Sequence, residues 1–420
     1  MTSAEQLNAP SHQACRSCGA PLSDVVADLG MSPVSNAFVK PENLNRAEAF
    51  FPLKALVCRS CFLVQTLDVV GREGHFHDDY VYFSSMSSEW LAHARAYCEM
   101  AIARENLTAE SFAIEVASND GYLLQNFERA GIPCLGIDPA ANCAEAALKS
   151  YGVETYVGFF GVETAREIIA RGRQADLIAA NNVLAHVPDL NDFVGGFKVL
   201  LAPGGLATFE FPHLLRLIER NQFDTIYHEH YSYLSLVALA PLFARHGLKM
   251  TDVQELPTHG GSLRLFLRHT AHAEQPSAVL LHVLDLERQA GLGSLSAYEG
   301  FRSQVHETKR RLVSLLIGLK NDGRRIAGYG APAKGNTLLN YCGIGPDFID
   351  YTVDRSASKQ GRYLPGTRIP VLAPEYLMAD RPDYVLILPW NIRDEIMHQL
   401  ADIRSWGGRF IVPIPTPEIV

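Results

Sequence analysis

Ile114-Glu115-Val116-Ala117-Ser118-Asn119-Asp120-Gly121 is the stretch whose reading decides the fold. Ser111 to Ala117 reads as a short, largely apolar strand, Tyr122 to Arg129 as a helix, and Pro133 to Ile137 as a second strand ending at Asp138. Strand, tight loop, helix and strand open a doubly wound α/β sheet, whose ligands sit beyond the strand C-termini. Gly121 lets the backbone approach such a ligand. The loop is no phosphate cradle, because it lacks the G-x-G-x-x-G spacing and carries acids instead. Acidic groups suit a ligand with hydroxyls, an amine or a positive centre, and S-adenosylmethionine has all three, its sulfonium included. Glu115, Ala117, Ser118, Asn119 and Gly121 are the donor-loop candidates. Asp138 suits the ribose hydroxyls, by the logic of dinucleotide sites, and Asn181 follows at a later strand end. A doubly wound domain for another ligand, with Asp138 as a turn residue, stays open at this point.

The α/β alternation continues. Ala140–Ser150, Gly161–Arg171 and Asp189–Leu200 read as helices; Val153–Tyr156, Asp176–Ala180 and Leu206–Phe211 read as strands. Asp138, Asn181 and Glu210 should gather on one sheet edge.

A chain of 420 residues can bury substantial cores and divides naturally into two or three domains. Its 47% hydrophobic and 20% charged content is ordinary for a globular protein. The net charge of -9 gives no basic footprint, so no nucleic-acid partner is expected. The first residues are polar, without a secretory pattern, and no stretch reaches membrane-spanning length. A cytoplasmic, reduced protein is expected, with no membrane and no obligate protein partner.

Four of the eight cysteines stand in two C-x-x-C pairs, Cys15/Cys18 and Cys58/Cys61. Two such knuckles place four thiolates tetrahedrally around Zn²⁺. With all four positions filled by cysteine, no site is left for a reactive water, so the zinc is expected to be structural. The insert between the knuckles shows little regular apolar periodicity, which suggests a small module that needs metal to fold. The expected division is a zinc-binding domain over 1–80, a methyltransferase core over 81–255 and a C-terminal domain over 256–420.

Tyr80, Tyr82 and Ser84 cluster ahead of the core and either line a pocket or serve packing; the following serines cap a helix over Glu89–Glu105. Asp224-Thr225-Ile226-Tyr227-His228-Glu229-His230-Tyr231-Ser232-Tyr233 packs three tyrosines, two histidines and two acids into ten residues. Its H-x-H spacing does not match a helical zinc site, and a proton-transfer cluster fits better. Thr258-His259-Gly260-Gly261-Ser262 is a hairpin turn or a loop that closes on a ligand, which makes His259 and Ser262 candidates. After a helical stretch from Gln275 to Lys320, a second α/β pattern begins with strands at Arg325–Tyr329 and Ile349–Val353. Its loop Gly330–Thr337 carries Lys334 and Asn336 at a helix start and reads as an anion site.

Together these segments resemble the sugar C-methyltransferases that make branched deoxysugars for antibiotics, in particular those methylating C-3' in D-tetronitrose biosynthesis. The likeness rests on the two knuckles, Glu115–Gly121, Asn181–His186, Tyr227–His230 and Gly330–Thr337. It implies a zinc-binding lobe, a methyltransferase core of Rossmann type and a C-terminal Rossmann-like domain. It also implies a dTDP-linked 4-keto deoxysugar methylated at C3 between the two large domains. His230 is placed as the base. Tyr227 and His186 are candidate donors to the developing enolate oxygen, and Glu229 orients a histidine or binds a sugar amine. A 3-hydroxy acceptor, a zinc-containing RNA methyltransferase and a nicotinamide oxidoreductase using the Gly330 loop are the competing readings.

Overall fold

The computed structural model describes residues 14–69 and 83–420, so Tyr80 and Tyr82 lie outside the described residues. The N-terminal lobe contributes β1 (Asp24–Ser32), β2 (Phe51–Val57) and β3 (Val64–Thr66), all antiparallel. The insert between the knuckles therefore holds regular strands that its periodicity did not reveal. Register shifts in β1 between Val25 and Ala27 and between Asp28 and Met31 break the period-two alternation that would have marked it.

The core follows as α1 (Ser88–Glu105), β4 (Ala113–Val116), α2 (Gln125–Arg129), β5 (Cys134–Asp138), α3 (Ala141–Tyr151), β6 (Thr155–Val157), α4 (Val162–Arg171), β7 (Ala175–Asn181), α5 (Leu190–Leu200) and β8 (Leu201–Pro212). Then come α6 (Leu214–Glu219), β9 (Ser232–Tyr233), α7 (Leu236–Arg245), β10 (Leu248–Leu256) and β11 (Ser262–His269). The seven-stranded sheet has the order β10-β11-β8-β7-β4-β5-β6, with β11 antiparallel to both neighbours. The sheet thus takes in Ser262–His269, past residue 255, because β11 is the hairpin partner of β10. Chain order reverses between β4 and β7, which puts the switch point at the C-terminal end of β4. Alternating residues of the central strands pack on opposite faces: Ile178 and Ala180 join Phe197, Phe209 and Phe243, whereas Leu177 and Ala179 join Tyr97 and Phe127.

The C-terminal part is α8 (Ala278–Gln289), α9 (Ser296–Asn321), β12 (Ile326–Tyr329), α10 (Ala333–Cys342), β13 (Thr352–Val353), β14 (Val371–Leu372), α11 (Glu375–Asp380), β15 (Tyr384–Ile387), α12 (Arg393–Gln399), β16 (Arg409–Val412) and β17 (Glu418–Ile419). Its six strands run β14-β13-β12-β15-β16-β17, all parallel except β17. Along α9, Leu312, Leu316 and Leu319 recur at helical spacing and share one apolar cluster with Val26 and Leu53 of the lobe and Ile326 of β12. The lobe is no free-standing module. β9, from the core, completes its sheet as β1-β2-β3-β9, and Cys15, Cys58 and Cys61 pack into the core cluster.

Candidate active site

The donor loop uses three left-handed residues in five: Ala117 at φ 61°, Asn119 at 48° and Gly121 at 78°. A left-handed alanine costs about 1–2 kcal/mol, and such outliers concentrate at functional sites. These reversals end the strand at Val116 and delay the helix to Gln125, later than the expected Tyr122. Asp138 clamps the loop, its Oδ2 accepting from Asn119 N and its Oδ1 from Ala140 N, both at 2.9 Å. Burial pushes its carboxyl above the ordinary range. Ser84 N donates to Asn119 Oδ1 at 2.9 Å, tying the entry of α1 to the loop.

A cavity of about 670 Å³ opens beyond the ends of β4, β5 and β7. Ala117, Asn119, Asp138, Asn181, Ser84, His186 and His259 all line it. Glu115, Ser118 and Gly121 do not. Glu115 lies wholly buried in β4, where burial raises its carboxyl well above the usual range and Tyr122 opposes the shift by hydrogen bonding. Ser118 is fully buried against Gly136. Gly121 packs on Ala147. Asn181 Oδ1 and both amide atoms of Asn182 are buried without a protein partner among the described residues. A pocket with unsatisfied polar atoms at a switch point fits a donor carrying hydroxyl, amine and carboxylate groups.

Trp90 and His93 line the same cavity and were not anticipated. Their rings stack at 4.8 Å, and the usable signal was an aromatic–histidine pair three residues apart at a helix start. His93 Nε2 lies 2.9 Å from each oxygen of Glu210, and Arg264 Nη2 lies 2.6 Å from the same carboxylate. Burial acts to raise the Glu210 carboxyl, but His93 and Arg264 outweigh it and hold it below its ordinary value. Glu210 does reach the expected sheet edge beside Asn181, yet it is committed to internal partners.

The dense cluster resolves into two directions. His230 N donates to Tyr227 O at 2.9 Å, forming a turn with His228 and Glu229 at its central positions. Tyr227 and His230 are thus brought together, 3.9 Å between ring centroids. His230 Nδ1–H donates to Thr225 O at 2.9 Å, leaving Nε2 to accept from the Tyr227 hydroxyl at 2.7 Å. Burial first, then the neighbouring His186, drives the His230 pKa well below its usual value, so the ring is neutral. His186 packs edge-on against it at 4.7 Å and connects the pair to the cavity. Glu229 instead accepts from Asn36 Nδ2 of the lobe at 2.8 and 3.0 Å and orients no histidine. Burial raises its carboxyl to about 7.

His259, also lining the cavity, is exposed and sits at φ 54° with its ring edge-on to Trp90 at 5.5 Å. Ser262 faces inward, its hydroxyl donating to Thr258 O at 2.9 Å. The Gly330 loop offers less to an anion than its sequence suggests, since the Ala331 amide already donates to Asp354 Oδ2 at 2.7 Å. Lys334 is half-buried above the Trp390 ring and bonded to Asn391, a cavity residue. Burial lowers its pKa to about 8 against the opposing charge of Asp224. Asn336 is 1% exposed and is not among the lining residues.

The four knuckle sulfurs lie within 4.8 Å of one another, with Cys15–Cys61 and Cys18–Cys58 each 3.5 Å apart. Tetrahedral zinc with Zn–S near 2.3 Å needs sulfurs about 3.8 Å apart, so the donor set fits. Gln65 Nε2 donates to Cys15 Sγ at 3.2 Å, the kind of outer hydrogen bond that steadies a thiolate ligand.

This sheet order, its switch-point cavity and the closed four-cysteine centre define an S-adenosylmethionine-dependent methyltransferase with a structural zinc lobe. Three sequence families match it in turn: "Putative zinc binding domain" over residues 15–76, "Methyltransferase domain" over 91–253 and "C-methyltransferase C-terminal domain" over 257–415. C-methyltransferase NovU of Streptomyces niveus is 37% identical over 406 residues, covering 97% of this chain and 96% of its own length. The chain belongs to this family of C-methyltransferases. A ubiquinone biosynthesis O-methyltransferase of Methylobacterium sp. (strain 4-46) is 30% identical over 94 residues, 22% of this chain and 37% of that protein. Among solved structures, magnesium protoporphyrin IX methyltransferase from Synechocystis PCC 6803 is 14% identical, covers 46% of this chain and 86% of that one, and has a TM-score of 0.33.

Proposed function

We propose that the protein methylates C-3' of a dTDP-linked 3-amino-4-keto-2,3,6-trideoxy sugar, as in D-tetronitrose biosynthesis, in the supply of a branched antibiotic deoxysugar. The observation that carries the chemistry is the neutral His230, with Nδ1 anchored on Thr225 and Nε2 turned to the Tyr227 hydroxyl. Carbon becomes nucleophilic only when a neighbouring carbonyl acidifies its proton, and a 4-keto group does this for C3. With the acceptor bound, the Tyr227 hydroxyl turns from His230 Nε2 to the C4 oxygen, which frees Nε2 to take the C3 proton as the electron pair delocalises onto that oxygen. Tyr227 and His186 donate to that oxyanion. S-adenosylmethionine would be held by Asn119, Asp138 and Asn181 and would supply the electrophilic methyl group, its sulfur–methyl bond breaking as C3 bonds the methyl and S-adenosylhomocysteine leaves. His230 then returns its proton to solvent. Glu229, at the seam with the lobe, is suited to a sugar ammonium, and His259 and Lys334 to the acceptor's polar groups and diphosphate.

The test is mass spectrometry of dTDP-4-ketosugars incubated with the donor, and NMR to locate any new methyl. A mass gain with the methyl on C3 of the amino sugar is expected. Exclusive methylation of the 3-hydroxy analogue would move the assignment to that acceptor. His230→Asn should lower turnover about 10²–10⁴-fold, the usual cost of losing a general base, and abolish deuterium exchange at C3. Lost turnover with wild-type exchange would pass the base role to His186.

A further inference from the structure

Arg16 stands between two zinc ligands, Cys15 and Cys18, and its half-buried side chain reaches the segment that carries His230. Its Nη1 donates to Thr66 O at 2.6 Å and to Tyr231 O at 3.1 Å, and the guanidinium lies 5.0 Å from the Tyr231 ring centroid. The neighbouring bonds converge on the same few atoms. Arg16 N donates to Gln65 Oε1 at 3.0 Å, and the same Gln65 amide donates to Cys15 Sγ. Thr66 N donates to Tyr231 O at 3.0 Å, and Thr66 Oγ1 to His230 O at 2.8 Å. On its other side, Tyr231 N donates to Ala185 O at 2.8 Å, next to His186.

We infer that Arg16 is a positioning residue that carries the rigidity of the zinc knuckle to the His230 and His186 backbones. Hydrogen bonds at both ends of the Gln65–Thr66 peptide join the knuckle to the 227–231 turn, Gln65 to Cys15 Sγ and Thr66 to His230 O, and Arg16 spans the same gap from Gln65 Oε1 to Thr66 O and Tyr231 O. Simple support of the fold would not require a guanidinium on two carbonyls; pairing of β3 with β9 already joins lobe and core. A cation satisfies two carbonyl oxygens with one planar group and shorter bonds than a neutral donor. Misplacement of a catalytic group by about 1 Å can cost 10²-fold in rate, so a fixed carbonyl anchor has catalytic consequence.

The inference rests on His230 acting in the reaction, and its experiment separates the two. Arg16→Gln and, as a near-isosteric second variant, Thr66→Val are compared with His230→Asn and with each combined with His230→Asn. The probe acceptor is the dTDP-linked 3-amino-4-keto sugar. Zinc content, thermal midpoint and S-adenosylmethionine affinity are measured alongside. Expected are stoichiometric zinc, unchanged donor affinity, KM within about twofold and kcat lowered about 10- to 100-fold, with Arg16→Lys recovering part of the loss. In the His230→Asn background, neither substitution should cost anything further. Wild-type kcat in both Arg16→Gln and Thr66→Val, with His230→Asn impaired, would overturn the positioning role alone. So would losses that simply multiply with that of His230→Asn. Full turnover in His230→Asn would remove the base assignment and the Arg16 inference together.

Discussion

Glu229 shows how one side chain's surroundings set its chemistry. Its carboxyl, raised to about 7 by burial from an ordinary 4.5, is held by Asn36 rather than by a cation. The folded protein therefore favours the protonated acid. The stability this group contributes is complete below its unfolded pKa near 4.5 and is lost as pH rises through about 7. The loss is at most about 3 kcal/mol, from 1.36 kcal/mol per unit. Glu229→Gln keeps an acceptor for Asn36 and cannot ionise. Its thermal midpoint should match wild type at pH 4 and exceed it at pH 8.5. A difference that does not change between those pH values would contradict the buried-acid assignment. An acceptor ammonium beside the carboxylate would supply the missing cation. Lys334 runs the opposite way: its ammonium is present below about 8 and lost above. Lys334→Ala should raise KM for the dTDP-sugar more than it lowers kcat, since a phosphate contact is made alike in ground and transition states. Wild-type affinity for dTDP should fall above pH 8. If the alanine variant binds dTDP as tightly as wild type at pH 7, the lysine is structural.

At the scale of the element, the donor loop is held in its strained shape by what lies beneath it. Gly136, in the middle of β5, leaves room for Ser118; a Cβ there would stand 2.4 Å from Ser118 Oγ and 2.9 Å from Thr155 Oγ1. Ala117 and Asn119, on either side of Ser118, both line the cavity. Gly136→Ala should therefore push the loop outward. Overpacking of this kind costs about 1–3 kcal/mol, so donor affinity should fall roughly 10-fold or more. Calorimetric titration with S-adenosylmethionine reads the effect, and zinc content should stay unchanged. Unaltered donor affinity would mean that the loop adapts freely and that Ser118 does not set its position.

Across the whole molecule the zinc lobe is the seam. Its knuckle packs on the core, its strands pack on α9, and Gly366 N donates to Glu48 Oε1 at 2.7 Å from the C-terminal domain. Structural zinc contributes about 10–16 kcal/mol in isolated peptide modules. Cys58→Ser should lose zinc and lower the thermal midpoint and solubility of the full chain, because both large domains share apolar surface with the lobe. Stoichiometric zinc retained by that variant would refute the four-cysteine assignment. Among the described residues no helix is long and apolar enough to cross a membrane.

What the sequence determined by itself is what local chemistry encodes. Two C-x-x-C pairs are enough for a closed four-thiolate site, because ligand type and number settle its geometry. Alternating apolar strands and helices around Gly121 and Asp138 are enough for a doubly wound core and its switch-point pocket, because ligand placement follows from strand direction. The hairpin around His259 was legible from its glycines. Only the tertiary structure decided which side chains of those segments meet. Tyr227 pairs with His230 while Glu229 turns to Asn36, since a turn sends its end residues one way and its central residues the other. Trp90 and His93 enter the cavity because α1 crosses the strand ends, a relation between elements far apart in the chain. Glu115 and Ser118 sit in the quoted motif yet face the interior, because strand alternation and the left-handed reversals aim them there. The bonds of Arg16 to Thr66 and Tyr231 span 50 and 215 residues, and no local pattern records a contact that only the folded chain closes.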